Sequence, residues 1–146
     1  MKTGFFVFLG MQHISGISRH QLHFSSLEDS ISADNHVRFI EAFVMYLDFT
    51  KLGFTTKTIK IQGRPSYNSK VFLKIYLYGY LNGLRSSRKL EKECFRNIEM
   101  KWLLEDIRPN YHSISDFRKD NPVALKNLFK LFVSFLKDAD LVGGEI

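Results

Sequence analysis

Residues 69–82 read SKVFLKIYLYGYLN, apolar nearly all the way round a helical wheel and interrupted only by Lys70 and Lys74 at i, i+4 spacing. A helix without a polar face must lie among other helices, so this segment predicts the buried centre of a small bundle. Asn82-Gly83 supplies its stop. Upstream, the stretch from Asn35 to about Asp48 puts Phe39/Ile40, Phe43/Val44 and Leu47 on one face at helical period, and Gly53 ends that unit. Ser25-x-x-Glu28 has the spacing of a capping box, which predicts a short helix or turn from about Ser26. Between these units TTKTIKI (residues 55–61) alternates weakly, as a short strand would, before Gly63-Arg64-Pro65 opens a loop.

Downstream of the central segment the helical pattern resumes. Ser86 or Ser87 can cap a helix running to about Phe95, with Leu90 and Cys94 inward and Arg88, Lys92 and Arg96 four apart on the opposite face. Ile98–Leu104 forms another short helix, and Pro109 marks the loop after it. Ser113-x-x-Asp116 again has capping spacing and predicts a helix over about 114–120. Pro122 suits the first position of a last helix that turns Leu125, Leu128/Phe129, Phe132 and Phe135/Leu136 inward and ends near Asp138. The expected fold class is all-α, a small multi-helix bundle. Residues 1–11 read as a leader, 12–140 as the helical domain, and LVGGEI (141–146) as a linker entering a strand.

A chain of 146 residues with 45% hydrophobic content and 14 phenylalanines can fill one core, which argues against disorder. The lone Cys94 excludes an intramolecular disulfide and a multi-cysteine zinc site, and fits a reducing, cytoplasmic setting. The apolar run Phe5–Leu9 is shorter than the ~7–15 residues of a secretory core. No run approaches the ~18–20 apolar residues of a membrane span, so no membrane partner is expected.

Net charge is +6, and it is concentrated. Residues 57–101 hold eleven basic and three acidic side chains, an excess of eight, whereas each flank carries one more acid than base. A basic middle third is what a polyanion-binding surface needs. Two stretches, 86–104 and 103–120, have the form of a helix-turn-helix-like DNA-binding unit. In the first, Arg85, Arg88, Lys89, Lys92 and Arg96 can neutralise phosphates, while Ser86 and Ser87 donate from a helix start. In the second, His112, Ser113, Ser115, Arg118 and Lys119 cluster at a short helix. Arg64, Lys70 and Lys74 complete the candidate DNA-binding set.

Enzyme readings find less support. His13, His20, His23, His36 and His112 form no HExxH pattern and have no cysteine partners, so no metal site is expected. No Gly-rich phosphate loop is present, and neither a cofactor nor a small-molecule ligand is expected. Cys94, at helical spacing from Leu90, reads as core rather than nucleophile. Tyr76, Tyr78 and Tyr80 lie in the most apolar helix and read as core or helix-interface residues.

With these residues in view, the landmarks Gly63-Arg64-Pro65, Tyr78-Gly79-Tyr80, Gly83-x-Arg85-Ser86-Ser87-Arg88-x-Leu90-Glu91, Asn97-Ile98, Trp102, Pro109 and HSISDFR (112–118) stand in an ordered series. Over about residues 12–146 the chain resembles the N-terminal domain of bacterial insertion-sequence transposases of the Asp-Asp-Glu type. The resemblance implies a helical domain that binds the terminal inverted repeats of its element as double-stranded DNA and helps assemble the synaptic complex. It also implies an RNase H-like catalytic domain beyond a segment like Leu141–Ile146, with three carboxylates holding two divalent metals. None of those carboxylates matches a position in this chain, so the expectation is a truncated, non-enzymatic module, cytoplasmic and nucleoid-associated. Two alternatives stand beside it. One is a fragment that dimerises, or joins mixed complexes with full-length transposase, through the 71–81 helix or the Phe129/Phe132/Phe135 face. The other is a decayed remnant of a mobile element.

Overall fold

A computed structural model of the chain describes residues 12–54 and 67–139. The leader 1–11, the weak strand over 55–61, Arg64 and the segment 141–146 lie outside the described residues. Within them the chain is all-helical, as the periodicity predicts: α1 (Val37–Met45), α2 (Ser69–Asn82), α3 (Ser87–Arg96), α4 (Ile98–Leu103), α5 (Tyr111–Asp120) and α6 (Pro122–Asp138), with 3₁₀ turns at Glu28–Ser30 and Thr50–Leu52.

α2 is the centre. From Val71 to Gly79 every residue but Lys74 is buried, and Leu73, Ile75 and Leu77 have no exposed surface. Asn68 caps its start by accepting from the Lys70 amide. At its end Gly83, at φ +69°, turns the chain left-handed, so that the Leu84 amide reaches back to the Gly79 carbonyl at 2.8 Å. This is the Schellman closure that a glycine after the last turn permits. Gly79 itself allows a close approach: a Cβ there would lie 2.6 Å from the Leu84 carbonyl oxygen and 3.0 Å from Leu90 Cδ2.

Around α2 pack α1, α4 and α6. α1 contributes Val37, Ile40, Phe43 and Val44, and α6 contributes Ala124, Leu125, Leu128, Phe132 and Leu136. Phe43 meets Phe132 edge-on at 5.0 Å between centroids. Phe132 is wholly buried, and Phe129 and Phe135 are half-buried against the core, so the phenylalanine face considered for dimerisation is in good part turned inward. The same holds for α2, where Tyr80 and Leu81 alone emerge from the 71–81 stretch.

Two caps differ from expectation. The box near the start is Ser26 with Asp29: the Ser26 amide donates to Asp29 Oδ2 at 3.2 Å and the Asp29 amide to Ser26 Oγ at 3.3 Å. Glu28 is engaged elsewhere, 2.5 Å from Arg38 Nη2 and accepting from the Trp102 indole at 3.1 Å. α5 begins at Tyr111 because Asn110, rather than Ser113, is its cap, with Asn110 Oδ1 accepting from the Ser113 amide at 2.8 Å. α1 is also shorter than its apolar pattern; past Met45 the chain leaves the helix, and Asp48 accepts the Thr50 hydroxyl at 2.9 Å, a local bond that competes with helix continuation.

Candidate nucleic-acid interface

The two stretches read as separate helix pairs form one unit. α3 and α4 are joined by the single residue Asn97, and α5 folds back to pack on α3 with the chain directions opposed, Glu91 against Tyr111 and Arg85 against Arg118. Ser86 caps α3, its Oγ 3.4 Å from the Lys89 amide, while Leu90 and Cys94 turn into the core. Burial pushes the Cys94 thiol up to about 12, so this cysteine is inert core.

The two carboxylates of α3 point inward. Glu91 accepts from the Tyr111 amide at 2.8 Å, placing a negative charge on the positive end of α5. Glu93 is buried and accepts from Asn97 Nδ2 and Arg96 Nε, each at 2.8 Å. Those hydrogen bonds, that from Asn97 foremost, hold its carboxyl below the ordinary glutamate value. With both acids withdrawn, the charged side chains exposed on α3 and the turn before it are Arg85, Arg88, Lys89, Lys92 and Arg96, all cationic. Lys89 and Lys92 make no ion pair with any described residue; Arg96 shares Glu93 yet remains 61% exposed.

α5 adds to this face from one side. The Arg88 guanidinium lies 4.1 Å over the Tyr111 ring and donates to its hydroxyl. Arg118 sits 4.9 Å over Tyr76 and donates to the Arg85 carbonyl at 2.8 Å. These contacts fix two arginines as planar forks, the form suited to phosphate. The His112 ring lies 4.0 Å from that of Tyr111, tilted 31° to it, and His112, Ser115 and Lys119 are exposed, whereas Ser87 and Ser113 are half-buried.

A polar network sets the orientation of α3. Asn97 Oδ1 caps α4 by accepting from the Glu99 and Met100 amides, and its Nδ2 donates to the Tyr78 hydroxyl at 2.9 Å as well as to Glu93. Tyr78 in turn donates to Glu99 at 2.8 Å. Burial, with Glu99 adding to it, pushes the Tyr78 hydroxyl up to about 12.

Two of the candidate residues fall elsewhere. Lys74 is 14% exposed, 2.7 Å from Glu41 and donating to the Leu103 carbonyl, so it holds α1 and α4 to α2. Lys70, in the first turn of α2, is about 18 Å along that helix from the turn into α3. The unit also uses a residue that sequence reasoning did not single out, Tyr111, and its only signal is its position directly before HSISDFR. Lys126, four residues before Lys130 on the solvent side of α6, stands apart from that unit. Among the described residues no group of three metal-ligating side chains converges, and no helix is long and apolar enough to cross a membrane.

A family model described as Transposase domain (DUF772) matches residues 25–120, from the first 3₁₀ turn through α5. The chain belongs to this family of transposase domains. Membership ties the chain to transposition, and the matched span contains every exposed cation of the α3–α4–α5 unit. Neither the curated proteins nor the solved structures contain a match to this transposase domain.

Proposed function

We propose that this transposase domain holds duplex DNA on the exposed side of α3 and the adjoining part of α5, with the terminal inverted repeats of an insertion sequence as its target. The observation that carries the reading is the withdrawal of Glu91 and Glu93, which leaves five cations and no exposed carboxylate along Arg85–Arg96. Arg85, Arg88, Lys89, Lys92 and Arg96 contact phosphates chiefly; Arg118, Lys119, His112 and Ser115 extend the contact from α5. On this reading the domain acts by gripping DNA for a transposase of the Asp-Asp-Glu type and performs no strand cleavage of its own.

The test is a titration against labelled duplex carrying the element's ends, with scrambled duplex as competitor, over a range of salt. Neutralising about four to six phosphates gives a log–log salt slope of roughly −4 to −5. The double variant Lys89→Ala, Lys92→Ala should make it shallower by about 1.8. A slope near zero, or one that the double variant leaves unchanged, would remove α3 as the interface.

A further inference from the structure

Next to the cationic side of α3, the end of α2, the start of α6 and Arg118 of α5 enclose a groove of about 490 Å³. That is the size of a small-ligand site, roughly 300–1,000 Å³. Its wall is aromatic: Tyr80, half-exposed, stacks on Phe129 at 5.0 Å between centroids with the planes 14° apart. Gly79 and Gly83 contribute no side chain to fill it. Its charged lining residues are Arg85, Arg118 and Lys126, three exposed cations without a carboxylate.

An aromatic wall beneath a cationic rim is the chemistry that takes up a nucleotide whose base is free of a duplex, the ring stacking and the phosphate meeting the cations. The groove is also continuous with the proposed duplex face, since Arg85 and Arg118 border both. We infer that the Tyr80–Phe129 groove accepts an unpaired nucleotide at or near the end of the DNA held on α3. Lys126 and Arg85 hold its phosphates, and the base extends the Tyr80–Phe129 stack. This rests on the duplex-binding reading above and adds to it a preference for frayed or single-stranded ends.

The probes are a blunt duplex of about two helical turns and the same duplex bearing a short oligothymidine overhang. One stacked base should tighten binding of the overhang form about tenfold. Tyr80→Ala and Lys126→Glu, both outside the duplex face, should abolish that preference while leaving blunt-duplex affinity unchanged. With 5-iodouracil in the overhang, photo-crosslinks to the unmodified protein should map to Tyr80 or its neighbours in the groove. Equal affinity for the two DNAs, a preference that survives Tyr80→Ala, or crosslinks confined to α3 would each overturn the inference while the duplex reading stands. Failure to bind either DNA would instead overturn the duplex reading and this inference with it.

Discussion

Replacing Gly79 by alanine would ordinarily favour a helix, by about 0.8–1 kcal/mol, because alanine loses less backbone freedom than glycine. Here the added methyl has nowhere to go. It would lie 2.6 Å from the Leu84 carbonyl oxygen, a backbone atom in the turn between α2 and α3, and 3.0 Å from Leu90 Cδ2, whose residue has no exposed surface. Neither neighbour is the free end of a flexible side chain. The Leu84 turn is closed by the hydrogen bond its amide donates to the Gly79 carbonyl, and Leu90 anchors α3. Overpacking of this kind costs about 1–3 kcal/mol, and a backbone obstacle argues for the upper end. Set against the propensity gain, Gly79→Ala should be destabilised by roughly 2 kcal/mol. For a chain of this size that lowers the melting midpoint by about 6–8 °C. Thermal melting followed by far-ultraviolet circular dichroism measures it directly. A midpoint equal to or above that of the unaltered protein would refute the close approach of α2 to the turn, and with it the seating of α3.

Other outcomes follow from the contacts around α3. Asn97→Ala removes the cap of α4 and a donor from both Tyr78 and Glu93, and should cost roughly 2–4 kcal/mol in urea denaturation; a loss under about 0.5 kcal/mol would mean the network does not hold the helices. Glu93 has its carboxyl held low in the folded state, so its stabilisation is present above the ordinary value of 4.5 and is lost as pH falls below it. Glu28, Asp34 and Asp48 are shifted the same way, so the unaltered protein loses stability in acid from all four, and Glu93→Gln should show a shallower decline; parallel curves would contradict the pairing. Cys94, 1% exposed and with its thiol pushed up to about 12, should react with an aromatic disulfide reagent only as fast as the domain unfolds; immediate labelling of the native protein would place it outside the core.

Much of the fold was legible because local signals agreed with the tertiary outcome. The 69–82 segment forms a helix over those same residues, since its apolar run admits no other lodging and Asn82-Gly83 ends it. Pro122 opens α6 and Asp138 closes it, as their positions suggest. What escaped were choices made by partners distant in sequence. Glu28 leaves the capping role because Trp102, 74 residues away, and Arg38 take it. Asn110, Ser113 and Ser115 all have cap chemistry within one short stretch, and the helix begins at Tyr111, whose amide Glu91 can receive. Lys74 reads as a surface charge until α1 brings Glu41 to it. The basic residues of α3 were legible from spacing, but the inward turn of the two glutamates between them, which gives that face its uniform sign, depends on Tyr111 and Asn97.

α6 lies beyond the matched residues 25–120, yet its Phe132 has no exposed surface and rests on Phe43 of α1. The segment by which the family is recognised is therefore smaller than the unit that folds. A fragment cut at Asp120 would keep every exposed cation of α3 and α5 and lose one wall of its hydrophobic interior, leaving Phe43 and its neighbours open to water. In practical terms the seventeen residues of α6 must accompany any transplanted copy of the α3–α5 surface, since they close the interior behind it.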